Sequence, residues 1–172
     1  MKQHITPTRT ERLMQKDDFI VSKTDTRGRI RYCNRIFMEI SGYTEQELLG
    51  RQHNIVRHPD MPRSVFDLLW RTLREGQEFF GYIKNLAKDG SYYWTFANVS
   101  PSLDSDARLI GYYSVRRAPE RAAIEQIAPV YARMIEAERE AGAKAAISAS
   151  RVILNDFLDQ RAASYEHYVL AV

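Results

Sequence analysis

Cysteine is nearly absent from this chain. Only Cys33 occurs among 172 residues, which excludes an internal disulfide framework and a multi-cysteine metal site and fits a reducing compartment. Long apolar runs are missing as well. Met1 to Asp18 is polar and mixed in charge, with neither the core of a signal peptide nor a membrane span, so a cytoplasmic protein without direct membrane insertion is expected. No block of one charge sign stands out. Lys and Arg total 25 against 22 Asp and Glu, and the arginines are scattered among acids, so electrostatics give no ground for nucleic-acid binding. The four histidines, His4, His53, His58 and His167, show no metal-ligand spacing. A phosphate-binding glycine loop, a nucleophile elbow, a carboxylate pair and a kinase constellation are also missing, which argues against an enzyme.

What is present is a clear order of elements. Phe19 to Asp25 and Arg29 to Cys33 read as two strands joined by the turn Thr26-Arg27-Gly28. Asn34 is placed to cap a short helix, Arg35 to Ser41, ended by Gly42, and Thr44-Glu45-Gln46-Glu47 is a capping-box pattern closed by Gly50. A longer helix runs from about Pro62 to Glu75, with Val65, Phe66, Leu69, Trp70 and Leu73 on its buried face. The period then changes: Phe79 to Leu86, Ser91 to Leu103 and Arg108 to Arg117 form three successive strands. The fold class is therefore α+β, a five-stranded antiparallel sheet with short helices on one face, leaving room for a ligand between the layers.

From Pro119 the pattern turns helical. Glu120 to Glu140 carries Ile124, Ile127, Tyr131 and Met134, with Pro129 expected to kink or restart the helix. After Gly142 a second helix is expected from about Lys144 through Leu154, Leu158, Tyr165 and Val169. The division is thus a leader over 1–17, a sheet domain over 18–118 and a helical extension over 119–172. The apolar faces of the extension must fold on one another, on the outer sheet face or on another chain.

The densest cluster of chemistry lies in a loop, His53 to Pro62. Arg57 offers a planar cation, His58 an imidazole, and Asp60 a carboxylate that orients a neighbour or caps the next helix. Alone, this reads rather as a helix cap with solvated charges.

Three ordered motifs change that balance: Asp25-Thr26-Arg27-Gly28-Arg29-Ile30 leading to Asn34; Ser41 to Gly50, Ser-Gly-Tyr-Thr-Glu-Gln-Glu-Leu-Leu-Gly; and Asn85 to Trp94, Asn-Leu-Ala-Lys-Asp-Gly-Ser-Tyr-Tyr-Trp. With them the chain resembles the PAS family of sensory domains over roughly Asp18 to Arg117. The loop Asn54 to Pro62 and the stretch Ile83-Lys84-Asn85 resemble its aerotaxis-receptor (Aer-like) branch, which binds FAD non-covalently and reads the redox state of electron transport. The resemblance implies flavin binding by Asn34, Arg57, His58, Asp60 and Asn85, with Phe66 and Trp70 lining the cavity. The chemistry is apt, since a flavin needs an apolar slot for its rings and amide-like partners at its polar edge.

The light-sensing branch of the family requires a cysteine where this chain has His53, after Gly50-Arg51-Gln52, so a cysteinyl adduct is not expected; Cys33 reads as a buried structural thiol. A haem held by His53 or His58, or a cofactor-free dimerising adaptor, are the alternatives. The Aer-like group continues into a membrane anchor, whereas this sequence reaches Val172 after its helical extension. Signalling is therefore expected through the terminal helices, by contact with a protein partner, and a homodimer is expected as well.

Overall fold

Residues 5–172 are described in this computed structural model; His4, one of the histidines weighed above, lies outside them. The first hairpin is closed by Asp25, whose carboxylate accepts the N–H groups of Arg27 and Arg29, both at 2.9 Å. Gly28 supplies the positive φ, 75°, that the turn requires. The strands so joined are β1 (Phe19–Thr24) and β2 (Ile30–Cys33). A meander of β3 (Phe79–Leu86), β4 (Tyr92–Leu103) and β5 (Leu109–Arg117) returns to β1. The sheet is antiparallel throughout, in the order β2-β1-β5-β4-β3, which is the α+β architecture expected.

Each connecting helix starts differently. For α1 (Arg35–Ser41), Asn34 Oδ1 accepts the N–H of Phe37 at 3.1 Å and of Val21 at 3.0 Å, while its Nδ2 donates to Phe19 O at 2.7 Å. One side chain thus caps the helix and ties it to β1. For α2 (Glu45–Leu48) the capping box of Thr44 and Glu47 forms in full. A 3-10 turn over His53–Val56 then leads toward α3 (Arg63–Arg74). Here the sequence expectation is corrected: Asp60 does not cap α3. The cap position is Pro62, which offers no side-chain acceptor, and Asp60 is paired with Lys84 Nζ at 3.0 Å. The Arg63 N–H instead donates to Glu138 Oε1 at 2.6 Å, from far along the chain.

Strand register sorts the side chains. Asn85 lies opposite Tyr93, and Arg116 lies opposite both Ala97 and Ile20, so these residues share the face beneath the short helices. Tyr82, Trp94 and Phe96 occupy the other face. The β4 aromatics divide as their alternation predicts: Tyr93 points inward, while Trp94 packs on Tyr131 of the extension with ring centroids 6.2 Å apart.

The extension departs from its expected form. Helix α4 (Arg121–Asp159) runs through Pro129, where a kink or restart was expected, and breaks at Gly142, between the two expected helices, with a non-helical φ 73°, ψ 170°. That backbone is open to glycine and strained for other residues, whereas a proline in a long helix sacrifices only one local bond. The helix expected to continue to Val169 also stops early. Ala162 takes φ 49°, and Ser164 accepts the His167 N–H to start a separate α5 (Tyr165–Ala171). The first half of α4 covers the outer sheet face and α5 packs against β3. No described helix is long and apolar enough to cross a membrane.

Candidate functional site

Between the inner sheet face and α3 lies a cavity of about 270 Å³, close to the ~300 Å³ at which ligand pockets begin. The volume suits a ring system better than a whole dinucleotide. Its helical wall is Phe66, Leu69, Trp70 and Leu73; its sheet wall includes Ile83, Asn85, Ala97, Tyr112, Ser114 and Arg116; and Gln52, His53, Asn54, Val56 and Arg57 close one end. Trp70 is 40% exposed and meets Tyr112 edge-on with centroids 5.3 Å apart, so this aromatic pair borders solvent.

The residues implied by the sequence separate into two groups. Arg57, Phe66, Trp70 and Asn85 line the cavity. The Arg57 guanidinium lies 4.2 Å from the centroid of the Phe66 ring and donates to Met61 O at 3.0 Å, and an isolated β-bridge joins Arg57 to Asn85. Asn85 Nδ2 donates to Thr95 Oγ1 at 3.3 Å, which fixes its amide. Asn34, His58 and Asp60 are not in the lining. Asn34 is committed to α1 and β1, as described. His58 is buried, with Nδ1 accepting the Asp60 N–H at 3.0 Å and its ring edge-on to Tyr92 at 6.0 Å. Its pKa falls to about 4, through burial first and the Lys84 cation second, so it is a neutral organiser of the loop.

Two residues that sequence reasoning did not assign to the site dominate its electrostatics. Arg116 is 3% exposed and stands on the cavity wall. Its Nη2 donates to Ser22 Oγ at 2.6 Å and its guanidinium lies 4.6 Å from the Phe37 ring centroid. Among the described residues its Nε and Nη1 have no partner, and no carboxylate pairs with it. Burial lowers its pKa only to about 10, so the cation persists at neutral pH. His53 stacks on Phe37 at 5.7 Å and shares Ser22, with Nε2 and Oγ 3.0 Å apart. Burial and then the Arg116 charge push its pKa down to about 3, leaving a neutral imidazole. The signal for Arg116 was its period: Tyr112, Ser114 and Arg116 alternate along β5, the pattern that a solvated face also gives.

This arrangement can hold a flat, partly polar ring against an aromatic wall and can accept negative charge beside Arg116. Cys33 is buried, and its thiol pKa is raised by burial and by Glu45, so it supplies no nucleophile here. Among the described residues no group of three His, Cys, Asp or Glu side chains is placed to hold a metal ion.

Comparison with known proteins agrees with this geometry. A family model described as the PAS fold matches residues 30–116, just over half of the chain. The chain belongs to the PAS family. This PAS protein is 37% identical to the aerotaxis receptor of Escherichia coli (strain K12) over 131 residues, which is 76% of the chain and 26% of the receptor. It is 28% identical to the nitrogen fixation regulatory protein of Klebsiella pneumoniae over 105 residues, 61% of the chain and 21% of that protein. The chain therefore spans about a quarter or less of these relatives. A light-oxygen-voltage domain whose mechanism was addressed with a flavin analogue superposes with a TM-score of 0.57 at 21% identity, covering 63% of this chain and 82% of that one. That likeness concerns the fold of the PAS domain.

Proposed function

We propose that this PAS protein is a redox or oxygen sensor that holds FAD non-covalently and signals to a protein partner through its C-terminal helices. The observation that carries the reading is Arg116, a buried cation on a ring-sized cavity with two N–H donors unpartnered among the described residues. A buried charge left without a counter-charge is costly unless a ligand answers it. The similarity to the aerotaxis receptor supports flavin as that ligand, and signalling of the aerotaxis type, in the cytoplasm and as a homodimer, as the setting.

A bound flavin supplies a ring system whose charge or protonation changes on reduction. Phe66, Leu69 and Trp70 would grip it, Asn85 would meet its polar edge, and Arg57 would hold either its phosphates or its ring. Arg116 would answer negative charge. His53, neutral and bonded to Ser22, is positioned to give up that bond when Arg116 changes partner. Asn34, His58 and Asp60 would act behind the wall, by fixing α1 and the loop. With His53 held by Ser22 and Phe37, and His58 outside the lining, a haem ligand is less well supported.

One absorption spectrum of the freshly purified full chain tests the reading. A yellow protein whose colour bleaches on chemical reduction is expected, with Arg57→Ala and Asn85→Ala each lowering flavin content at unchanged fold. A Soret band or a colourless protein would overturn it.

A further inference from the structure

Two turns project from the same end of the sheet. Thr24, the last residue of β1, pairs with Tyr112, so residues 109–111 of β5 run on past β1 and beside the first turn. The approach is close: a Cβ on Gly111 would collide with the Thr24 carbonyl oxygen and lie 3.3 Å from Asp25 Cα. Trp70 of α3 borders the same turn, its ring 3.7 Å from the place of a Cβ on Gly28. Turns ordinarily carry polar side chains to water. Here the cross-strand partners Leu103 and Leu109, with Ile110 beside them, are 55%, 42% and 56% exposed. With exposed Trp70 at its rim, they make an apolar tip that no described residue covers.

The charges around the tip are of unequal standing. Asp25 accepts the N–H groups of Arg27 and Arg29 on one oxygen, and Arg31 Nη2 lies 3.0 Å from the other. Asp104 likewise accepts the N–H groups of Asp106 and Arg108, both at 2.9 Å, and Asp106 lies 3.8 Å from Arg108 Nη1. The carboxylates are thus answered locally. Arg27 and Arg29, by contrast, are exposed and make no ion pair among the described residues. Nor does exposed Arg51, whose carbonyl accepts the Ile30 N–H at 2.8 Å and so holds it beside them. Along the sequence these arginines stand among neutral residues in two segments; the fold collects them at one end.

We propose that this end of the domain docks on an anionic lipid bilayer surface, with Leu103, Leu109 and Ile110 resting in the headgroup layer and Arg27, Arg29 and Arg51 meeting lipid phosphates. An apolar patch rimmed by polar groups marks an interaction site, and its removal from water is favourable. The charge decides the partner. Three separate, unpaired cations on long side chains flank an aliphatic projection, a combination that a fluid array of negative headgroups satisfies without fixed pairing geometry. Trp70 suits the rim, since indole rings favour the boundary between headgroups and water. Docking is peripheral, for no described helix can span a bilayer. The proposal rests on these surface residues and not on the sensor reading.

Flotation of the full chain with lipid vesicles tests this. Binding is expected to vesicles holding about one-third phosphatidylglycerol in phosphatidylcholine, not to phosphatidylcholine alone, and should weaken as salt screens the headgroups. Arg27→Gln/Arg29→Gln should lower the partition coefficient about tenfold, and Leu109→Ser/Ile110→Ser roughly threefold. Far-UV circular dichroism should be unchanged in both, since all four side chains are exposed. No binding to the anionic vesicles, or binding that neither pair of substitutions weakens, would overturn the proposal. A response to the arginine substitutions alone would also overturn it, because the aliphatic tip would then have no part. Equal retention by double-stranded DNA or by an acidic protein would assign the cations to another partner and overturn it too. None of these outcomes bears on the cavity, whose proposed ligand is read separately by absorption.

Discussion

Arg116 and Glu138 are buried charges of opposite sign, 3% and 8% exposed, in surroundings that differ in one respect. Glu138 accepts from a backbone N–H and a serine hydroxyl, and its second oxygen lies 3.9 Å from Arg63 Nε. Arg116 has one hydroxyl acceptor, an aromatic face and two idle donors among the described residues. The first charge is satisfied within the fold and serves the fold. The second is held in readiness, which costs stability and fits a place where something from outside completes the pairing.

Substitution separates the two most strongly at Glu138. Glu138→Ala leaves the α3 terminus and Ser150 without their acceptor, and a loss of about 3 kcal/mol is expected in urea unfolding, as for one-sided removal from a buried polar network. Arg116→Met should leave the cofactor-free protein as stable or up to about 1 kcal/mol more stable, yet lower flavin retention at least tenfold. If Arg116→Met destabilised the protein as much as Glu138→Ala, the contrast between them would collapse.

The histidines give a second handle. Both have folded-state pKa values below the ordinary imidazole value, about 3 for His53 and about 4 for His58. Below pH ~6.5 the unfolded chain takes up protons that the folded chain refuses, so stability is full above that pH and falls as pH drops toward 4. Each histidine contributes a slope of up to ~1.4 kcal/mol per pH unit in that window. Urea midpoints at pH 7 and pH 5 would measure the fall, and His58→Asn should remove about half of it.

A more local effect is expected at Gly81. A methyl group there would meet the buried Phe79 ring at 2.7 Å and the Tyr165 hydroxyl at 2.8 Å, which Tyr131 holds at 2.6 Å. Gly81→Ala should cost about 2 kcal/mol and speed exchange in α5 while sparing the cavity. An equal effect on flavin content would show that α5 and the cavity are not separable at this edge.

Local chemistry was legible in the sequence wherever a residue bonds to near neighbours. Asn34 and Thr44 with Glu47 were read as caps because a cap and its helix lie within a few positions. Helical spacing placed Phe66 and Trp70 on the buried face of α3, and resemblance placed them, with Asn85, at the cavity. Long-range substitution was not legible. Asp60 looked like the cap of α3, but Lys84 holds it and Glu138, 75 residues beyond Arg63, takes its place. Arg116 was hidden because a polar residue alternating along a strand looks the same whether it meets water or a buried cavity. The break at Gly142 was legible between two helical patterns, whereas the kink expected at Pro129, the other local signal, does not end the helix.

Gly142 has nothing within 4 Å of the place where a Cβ would stand, so glycine is required there by backbone freedom alone and not by crowding. Any other residue would favour continuing the helix, and the 39 residues of α4 would then form one rod about 58 Å long. The rod would reach well beyond the domain that now folds around its own tail. A single residue therefore stands between a tail folded back on α3 and an extended strut.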